Sequence, residues 1–453
     1  MSSPTLDLSP AWITRAPEIP RRFPRQTRRG ARRRTMRVAH VLRKCNPAEW
    51  SGTETAVQRL VEGLRQHDVQ SIVYCPEDHS PERNPMEDAG CELKRFRAVL
   101  PIWGISEEER QRRTAIGGNL LSFDLAEKLR NEPGISLFHT HTLGRLGAIT
   151  SYVARRRGLC LVVTIHGGLM DLPDPVKKQF RRDNERGWDW GRALGFLLRS
   201  RQLEDRADAL VTCNPREAAL LRERYPGKRV AVQPHGVRVE RYQTDHRNEA
   251  REAFPQISNR EVLLAVGRLD GVKNQLWLVN EFPAVRRRHA RALLVLAGSC
   301  SDEAYGRALR ERIAELNLGG HVLLTGGLPS GDPRLIGLYQ EAQVVLLPSV
   351  SETFGLVILE AWASGRPVIT SRTSGASALV REGKNGWLFD LNNPGAFHAA
   401  LDAALFHPDL AARLAQEGGR LTAAEYDTVA LARKMRLLYE QVTKEKYALC
   451  NPA

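Results

Sequence analysis

Short apolar runs alternate with longer amphipathic stretches along most of the chain. In the first half, the apolar runs are rich in β-branched residues and are bounded by polar or glycine-containing segments, which is typical of strands. The strands predicted there are MRVAHVL, QSIVYC, SLFHTH, LCLVVTIH, ALVTCN and RVAVQPHG. The stretches between them, such as TAVQRLVEGLRQH and REAALLRERY, repeat apolar residues at helical spacing.

A second series of the same kind begins near residue 261. Its predicted strands are EVLLAVGRL, ALLVLAGS, HVLLTGG, VVLLPS and PVITSR, and helical stretches such as QLWLVNEFPAVRRRH and LVILEAWASG separate them. Alternating β and α elements indicate parallel sheets with helices on both faces. We therefore predict two doubly wound, Rossmann-like α/β domains, residues 36–237 and 261–425, which face each other across a central cleft. The polar residues 238–260 are the predicted hinge.

Length and composition agree with this division. A chain of 453 residues is too long for one ordinary core. Its longest apolar runs fall far short of the ~20 residues that a membrane-spanning helix needs, and no charged-then-apolar leader stands at its start. The seven cysteines are scattered and never spaced as CxxC, which indicates reduced thiols in a cytoplasm and no zinc site. The P-loop motif of many nucleotide hydrolases is absent.

Much of the net charge of +15 lies in the first residues of the chain. Residues 1–35 are rich in arginine and proline and lack apolar periodicity, so we predict that this tail is disordered. It could be a tether to anionic lipid or nucleic acid. We favour the alternative that it is an extension without a folded role, since Met36 opens the first strand and could itself be a start. No specific nucleic-acid partner is expected.

The segment GRLDGVKNQ follows the strand EVLLAV and precedes a predicted helix. Gly267 and Gly271 allow a tight turn there, and Arg268 and Lys273 place two cations at the end of the strand. Cations at a strand-to-helix junction suit a diphosphate. The alternative is an exposed loop that is merely basic.

The segment SETFGLVILE holds two acids eight positions apart, Glu352 and Glu360. Glu360 stands in an apolar run, where a carboxylate is costly to bury without a partner. If a helix begins within this segment, the N–H groups around Phe354, Gly355 and Leu356 lie at its positive end. The alternatives are a Glu352 that only complements the helix dipole and a Glu360 that forms a structural ion pair.

Two polar features follow strands of the first half. In SGTETA, Gly52 would let the backbone approach a ligand closely, although Thr53 and Glu54 could instead cap the next helix. The histidines His139, His141 and His166 stand at strand ends, where they could bond or stabilise a ligand. These three could in principle bind a metal, but no carboxylate stands at ligand spacing, so no metal is expected.

These segments together resemble the retaining GT-B glycosyltransferases, and most closely family 4, the glycosyl transferases group 1. The resemblance covers roughly residues 36–445. It rests on the E-x7-E motif formed by Glu352 and Glu360 and on GRLDGVKNQ, which matches the family's G-R-L-x-x-x-K-N segment. PHGVRVERY resembles P-N-G-V-D-x-x-x-F with His235 in place of the asparagine, and SGTETAV is similar to the family's glycine-rich loop.

The resemblance implies transfer of a sugar from a UDP-, GDP- or ADP-sugar to an acceptor hydroxyl, with retention of configuration. The product would belong to cell-envelope, polysaccharide or glycoconjugate synthesis. It implies two facing GT-B domains and a final helix, residues 426–453, that crosses back to the first domain. No metal or other cofactor is implied, and the DxD triplet of metal-dependent sugar-nucleotide enzymes is absent.

The resemblance also implies roles for individual residues. Arg268 and Lys273 would neutralise the donor diphosphate, Glu352 would hold the sugar near its reacting carbon, and His166 would lie beside the sugar from the opposite domain. Glu360 would accept hydrogen bonds from the ribose, and Gly52 would close over the diphosphate. Sugar or phosphate oxygens would bind the N–H groups of Phe354, Gly355 and Leu356.

One departure from the family concerns residues 374–378. SGASALV stands where the family often has G-G-x-P-E, so a glycine, the proline and the acid are missing, which puts donor contacts there in doubt. Other GT-B enzymes, such as a sugar-nucleotide epimerase or a phosphorylase, are alternatives, although the two motifs argue against the first and no pyridoxal-phosphate lysine can be identified. A basic polyanion-binding protein is an alternative from a different class.

The acceptor is not predicted, and loops at 45–55, 100–115 and 167–195 of the first domain would select it. The segment RGWDWGRALGFLLRSRQ mixes tryptophan, leucine and arginine at helical spacing. It could lie against a membrane and receive a lipid-linked acceptor. We favour the alternative that it is a packing helix between the domains. The predicted location is the cytoplasm, with peripheral contact at the inner membrane face as an option.

Overall fold

A computed structural model describes residues 35–47, 50–78, 83–115, 117–166, 187–300 and 302–450. The elements below all belong to one compact unit, Met36–Ala453. The arginine-rich tail, for which disorder was predicted, lies outside the described residues. Among the described helices, none is both long and apolar enough to cross a membrane.

The first half is built on a seven-stranded parallel sheet in the order β3-β2-β1-β5-β6-β8-β9. A separate antiparallel pair, β4 and β7, lies outside it. The strands are β1 (Met36–Val41), β2 (Val69–Pro76), β3 (Glu92–Phe96), β4 (Ile102–Trp103), β5 (Leu137–Thr140), β6 (Cys160–Ile165), β7 (Trp188–Asp189), β8 (Ala209–Thr212) and β9 (Val230–Val232).

The helices of this half connect and cover the sheet. They are α1 (Gly52–Arg65), α2 (Pro85–Asp88), α3 (Glu107–Ala115), α4 (Phe123–Asn131), α5 (Gly144–Arg156), α6 (Gly191–Leu197), α7 (Leu203–Arg206) and α8 (Pro215–Arg224), with a 3-10 turn at Ser200–Gln202. Helix α1 begins with a capping box, in which the Ser51 N–H donates to the Glu54 carboxylate at 2.9 Å. The predicted capping alternative is right for Glu54 but not for Thr53, which lies inside the helix.

The second half has a six-stranded parallel sheet in the order β12-β11-β10-β13-β14-β15. Its strands are β10 (Glu261–Val266), β11 (Ala292–Ala297), β12 (Val322–Gly326), β13 (Ala342–Leu347), β14 (Val368–Ser371) and β15 (Trp387–Phe389). The chain order reverses between β10 and β13, as it does between β1 and β5 in the first sheet. In doubly wound sheets, ligands bind beside the carboxyl ends of strands at this point. The predicted fold class is confirmed in both halves.

Ten helices follow β9 in the described part of the chain. They are α9 (Val239–Gln243), α10 (Arg247–Ala253), α11 (Gln275–Arg288), α12 (Glu303–Glu315), α13 (Pro333–Glu341), α14 (Leu356–Ala363), α15 (Ser374–Leu379), α16 (Pro394–Phe406), α17 (Pro408–Glu425) and α18 (Thr428–Cys450), with a 3-10 turn at Pro255–Ile257. The predicted hinge therefore contains helices α9 and α10, and their Tyr242 and Ala250 are buried in the second-half core.

Both faces of the second sheet are covered, which explains its almost uninterrupted apolar strands. Along β10, Val262 and Leu264 belong to one core cluster, whereas Leu263 and Ala265 belong to the cluster on the opposite face. Each fully buried side chain of this size contributes roughly 1.5–3 kcal/mol relative to exposure. Polar side chains are consequently displaced to the strand ends, where the candidate site is.

The final helix packs against the first half of the chain. Met435 and Tyr439 of α18 are buried in one cluster with Val38 and Val162 of the first sheet. The Tyr439 hydroxyl lies 2.6 Å from Nδ1 of His139, so this helix also contacts a polar strand end.

Candidate active site

The loop after β10 is ordered by one carboxylate. Asp270 Oδ1 accepts the backbone N–H groups of Val272 at 3.0 Å and Lys273 at 2.9 Å. Its other oxygen lies 3.0 Å from Nη2 of Arg268, whose side chain is 38% exposed. Gly267 has φ +147°, and a Cβ on Gly298 would lie 2.0 Å from the Gly267 carbonyl oxygen. The two glycines thus allow this cationic loop to approach the end of β11.

The loop meets the E-x7-E segment directly. Lys273 Nζ forms an ion pair with the carboxylate of Glu352, and the backbone N–H of Val350 donates to the Val272 carbonyl at 2.8 Å. The Lys273 and Glu352 side chains remain 24% and 16% exposed. The structure therefore brings Lys273, predicted to bind the diphosphate, next to Glu352, predicted to bind the sugar. A small molecule can reach both side chains from solvent.

Helix α14 begins at this junction. Gly355 precedes it with φ +96°, which favours glycine, and Leu356 is its first residue. The backbone of Gly375 donates to the Glu352 carbonyl at 2.8 Å, and a Cβ on Gly375 would lie 2.4 Å from the Phe354 nitrogen. One glycine of the altered SGASALV segment is therefore required for packing against the first turn of α14.

Glu360 is buried, 5% exposed, and its partners belong to the protein. Its carboxylate pairs with Arg59 and accepts the Tyr339 hydroxyl at 2.7 Å, while Ser330 Oγ lies at 3.4 Å. Ribose hydroxyls were predicted as the partners of this acid, with a structural ion pair as the alternative. The structure shows that ion pair.

Arg59 was not predicted from the sequence. Its guanidinium is buried and donates to the Gly236 carbonyl at 2.9 Å and to Ser330 Oγ at 2.9 Å, besides pairing with Glu360. Burial alone would lower the pKa of Arg59, but Tyr242 and Glu360 raise it overall. The sequence feature that could have identified Arg59 is its position on the apolar face of α1. A charged residue that is buried on such a face requires a partner.

The histidines form a connected row. His166 Nε2 lies 2.9 Å from His141 Nδ1, and His141 Nε2 lies 3.0 Å from His40 Nδ1. The His166 ring is 5.4 Å from that of His235, which is 5.1 Å from the Phe354 ring. Thus His166 reaches the E-x7-E segment through His235, the residue that replaces the family's asparagine.

Burial keeps these rings neutral. Desolvation lowers the pKa of His40 to about 3 and that of His235 to about 4, and it places the pKa of His166 well below its usual value with a further contribution from His235. Nδ1 of His166 is buried and has no hydrogen-bond partner in the described part of the chain. His166 is therefore a neutral ring with one unused nitrogen.

His40, His139 and His141 bring one nitrogen each to within 4.8 Å of one another, as metal ligands do. Both His139 nitrogens, however, contact protein hydroxyls at 2.6 Å, those of Tyr439 and Thr164. His139 is therefore satisfied by hydroxyl groups, whereas Nε2 of His40 is buried without a hydrogen-bond partner in the described residues. This cluster includes two of the three histidines considered for a metal, with His40 in place of His166.

Two further contacts position the site. Asn214, which caps α8, donates from Nδ2 to the Thr353 carbonyl at 3.1 Å and so joins the halves at the E-x7-E segment. Gly52 is the first residue of α1, and an added Cβ there would have open space. Residues 48–49 just before it are outside the described part.

The chain was compared with known proteins. Residues 50–241 match the family Glycosyltransferase Family 4, and residues 246–420 match Glycosyl transferases group 1. D-inositol 3-phosphate glycosyltransferase of Corynebacterium jeikeium is 28% identical over 90% of this chain and 97% of its own length. The protein of the same name from Thermobispora bispora is 30% identical over 73% of this chain and 77% of its own length.

Solved structures show the same fold. Anabaena Alr3699/HepE in complex with UDP and glucose is similar with a TM-score of 0.69 at 19% identity, over 89% of this chain and 99% of that one. Sucrose-phosphate synthase from Thermosynechococcus elongatus is similar with a TM-score of 0.68 at 22% identity, over 90% of this chain and all of that one. With its two Rossmann-like halves and its E-x7-E site, the chain belongs to the group 1, family 4 glycosyltransferases of GT-B fold.

Proposed function

We propose that this glycosyltransferase uses a nucleotide-sugar donor, retains the anomeric configuration and needs no metal. The observation that supports this best is the Lys273–Glu352 ion pair, which is partly open to solvent at the start of α14. It combines a cation, an acid and free helix N–H groups in one place. A sugar diphosphate presents the complementary groups, namely anionic phosphates beside hydroxyls.

The diphosphate is bound by exchange of partners. As its oxygens reach the two cations, Lys273 leaves Glu352 and Arg268 leaves Asp270. Each cation exchanges one anionic partner for another, so its desolvation on binding adds little free-energy cost. The carboxylate of Glu352 then accepts hydroxyl groups of the sugar. The N–H groups from Phe354 to Leu356 bind phosphate or sugar oxygens at the positive end of α14.

The ribose lies beside Glu360. A carboxylate offers about four lone-pair positions, and the protein contacts leave capacity for ribose hydroxyls. Arg59 and Tyr339 then orient the Glu360 carboxylate and occupy only some of its lone-pair positions. This retains the implied role of Glu360 and adds two protein residues to it.

His166 lies on the opposite side of the cleft, and its buried, unpartnered Nδ1 bonds a sugar hydroxyl once donor binding makes it accessible. As a neutral ring it can donate or accept without adding charge. Gly52 allows the start of α1 to approach the diphosphate.

In the reaction, the acceptor oxygen attacks the anomeric carbon on the face from which the diphosphate departs. The carbon–oxygen bond to the phosphate breaks as the new glycosidic bond forms, and the acceptor's proton passes to the leaving phosphate oxygen. Charge accumulates on that oxygen, so Lys273, Arg268 and the helix N–H groups stabilise the transition state more than the ground state. Such groups each contribute about 3 kcal/mol.

UDP is the first nucleotide to test, because Alr3699/HepE was crystallised with UDP and with UDP-glucose. GDP- and ADP-sugars complete the donor panel. The relatives' names make D-inositol 3-phosphate the first acceptor to test. Donors of this kind place the enzyme in the cytoplasm.

A donor screen tests the proposal. Thermal unfolding is followed with each sugar nucleotide, and one nucleotide class is expected to raise the melting temperature, with a stabilisation that grows with the logarithm of the ratio of ligand concentration to Kd. Release of the nucleoside diphosphate and the anomeric configuration of the product are then measured. Absence of both stabilisation and turnover with every donor would contradict the proposal, and an inverted product would refute retention.

A further inference from the structure

Four large apolar side chains of the first half are exposed, two on the β4–β7 pair and two on helix α6, which directly follows β7 in the chain. Trp103 is 59% exposed, Trp188 63%, Phe196 86% and Leu197 75%. We call these four residues the aromatic patch. A packing helix between the domains was the favoured prediction for the segment that contains three of them. The structure instead packs this segment against the core of the first half.

The patch is held on a fixed support. Trp103 of β4 stands opposite Trp188 of β7, and their ring centroids are 5.1 Å apart. Helix α6 buries Gly191 and Gly195, and added Cβ atoms at these glycines would meet Arg145 at 2.8 Å and 3.7 Å. That close approach leaves the opposite side of α6 facing solvent.

The inner side of α6 contacts the core of its own half. Leu194 and Leu198 pack against the first-half cluster, together with Trp190. Phe196 and Leu197, which stand between these two leucines in the chain, take no part in that cluster. Helix α6 is therefore anchored without them, and their exposure is not needed to stabilise the first half.

The charges beside the patch favour an anionic surface. Arg192, Arg199 and Arg201 are exposed on or next to α6. Of the nearby acids, Asp189 is held by Arg145 at 2.6 Å, whereas Asp205, Glu107 and Glu108 are exposed. Arg155 and Arg206 add positive charge beside Arg199, so cations predominate around α6.

We propose that the aromatic patch docks the first half onto a bilayer surface rich in anionic lipid. Tryptophan rings prefer the membrane–water interface, where their apolar body and N–H group are both satisfied. Phe196 and Leu197 enter the headgroup region, and the three arginines bind lipid phosphates. Docking of this kind is independent of sugar transfer and can be measured without it.

Co-sedimentation of the full chain with vesicles tests the proposal. One vesicle contains phosphatidylcholine alone and the other phosphatidylcholine with phosphatidylglycerol. We expect binding to the anionic vesicle, and we expect F196E/L197E to reduce the bound fraction about tenfold by removing the inserted side chains and adding repulsion. The matched control is Leu437→Glu on α18, which is 55% exposed and remote from the patch in the chain.

The arginine-rich tail is present in every variant, so a difference between variants belongs to the patch. Equal binding by F196E/L197E and the control would assign binding to the tail and overturn the proposal. So would absence of binding to any vesicle. Lipid-free self-association that the same variant abolishes would identify the partner as a second copy.

A second measurement uses the unaltered protein. Quenching of its tryptophan fluorescence by brominated lipid is compared with that of W103F/W188F, which keeps Trp12 of the tail. The difference reports insertion of Trp103 and Trp188, and we expect it only with anionic vesicles. Unchanged melting temperature and nucleotide-sugar stabilisation of F196E/L197E show that the fold and donor site are intact. Lost donor stabilisation in the unaltered protein would count against the proposed function but leave membrane docking open to its own test.

Discussion

The two halves share one architecture but place their polar residues differently. In the second half, Arg268, Lys273 and Glu352 lie on loops at strand ends and stay partly exposed. In the first half, Arg59 and His40 are buried among apolar side chains. The second half thus exposes charged groups at its strand ends, whereas the first half buries Arg59 against Glu360 and His40 against His141. The polar residues compared in the two halves therefore differ in their accessibility to solvent more than in their charge.

The comparison is tested most strongly at the exposed pair. We expect Glu352→Gln or Lys273→Ala to lower kcat by about two to three orders of magnitude, because each removes a group that contacts the reacting donor. Initial rates with saturating donor give the measurement, and melting temperature checks the fold. Lys384→Ala, at an exposed lysine in the same half, is the control. Rates close to the unaltered protein in both variants would refute the assigned site.

A buried residue should affect stability as well as activity. Arg59→Ala leaves Glu360 and Tyr242 buried with one partner fewer, which costs about 3–5 kcal/mol of unfolding free energy. Chemical denaturation measures this loss, and donor KM should rise as Glu360 loses its orientation. Exposed Arg65→Ala on the same helix is the control. A double-mutant cycle with Glu360→Gln that shows no coupling would mean that the ion pair does not act as proposed.

The fold was largely predictable from hydrophobic pattern. Buried parallel strands such as β10 and β11 are uniformly apolar, and the predicted runs EVLLAV and ALLVLA match them. Strand β3, with the sequence ELKRF, was not predicted, because an edge strand is half-exposed and reads as polar. Strand β15, only three residues long, was not predicted either. Short edge strands are defined by their neighbours and not by their own sequence.

The site was predictable only where it lies on loops with motifs. Spacing could not show that Arg59 reaches Glu360, since they are 301 positions apart in the chain. Nor could it show that His40 completes the row behind His166, because a histidine within MRVAHVL has no distinguishing pattern. Such contacts depend on how the two halves meet, which the sequence specifies only through the complete fold.

The histidine row predicts a pH dependence of stability. The folded-state pKa of His40 is about 3 and that of His235 about 4, both below the unfolded value near 6.5. Between these values the unfolded chain binds more protons, so stability falls as pH drops from about 6.5 towards 4. Each histidine contributes up to about 1.4 kcal/mol per pH unit in that window.

His40→Gln and His235→Asn should each reduce this slope, as measured by denaturation at several pH values. Exposed His407→Gln is the control and should leave the slope unchanged. A slope that is the same in all three variants would mean that these rings are not held neutral by burial.

The smallest expected effect is that of metal removal. If Lys273, Arg268 and helix N–H groups neutralise the diphosphate, excess EDTA should leave initial rates unchanged, because no divalent ion shares that charge. The cluster of His40, His139 and His141 makes the test informative, since a bound ion there would also be removed. Parallel melting curves separate the two cases. Lost activity with unchanged melting temperature would indicate a metal at the donor, whereas a lower melting temperature would indicate one in the histidine cluster behind it.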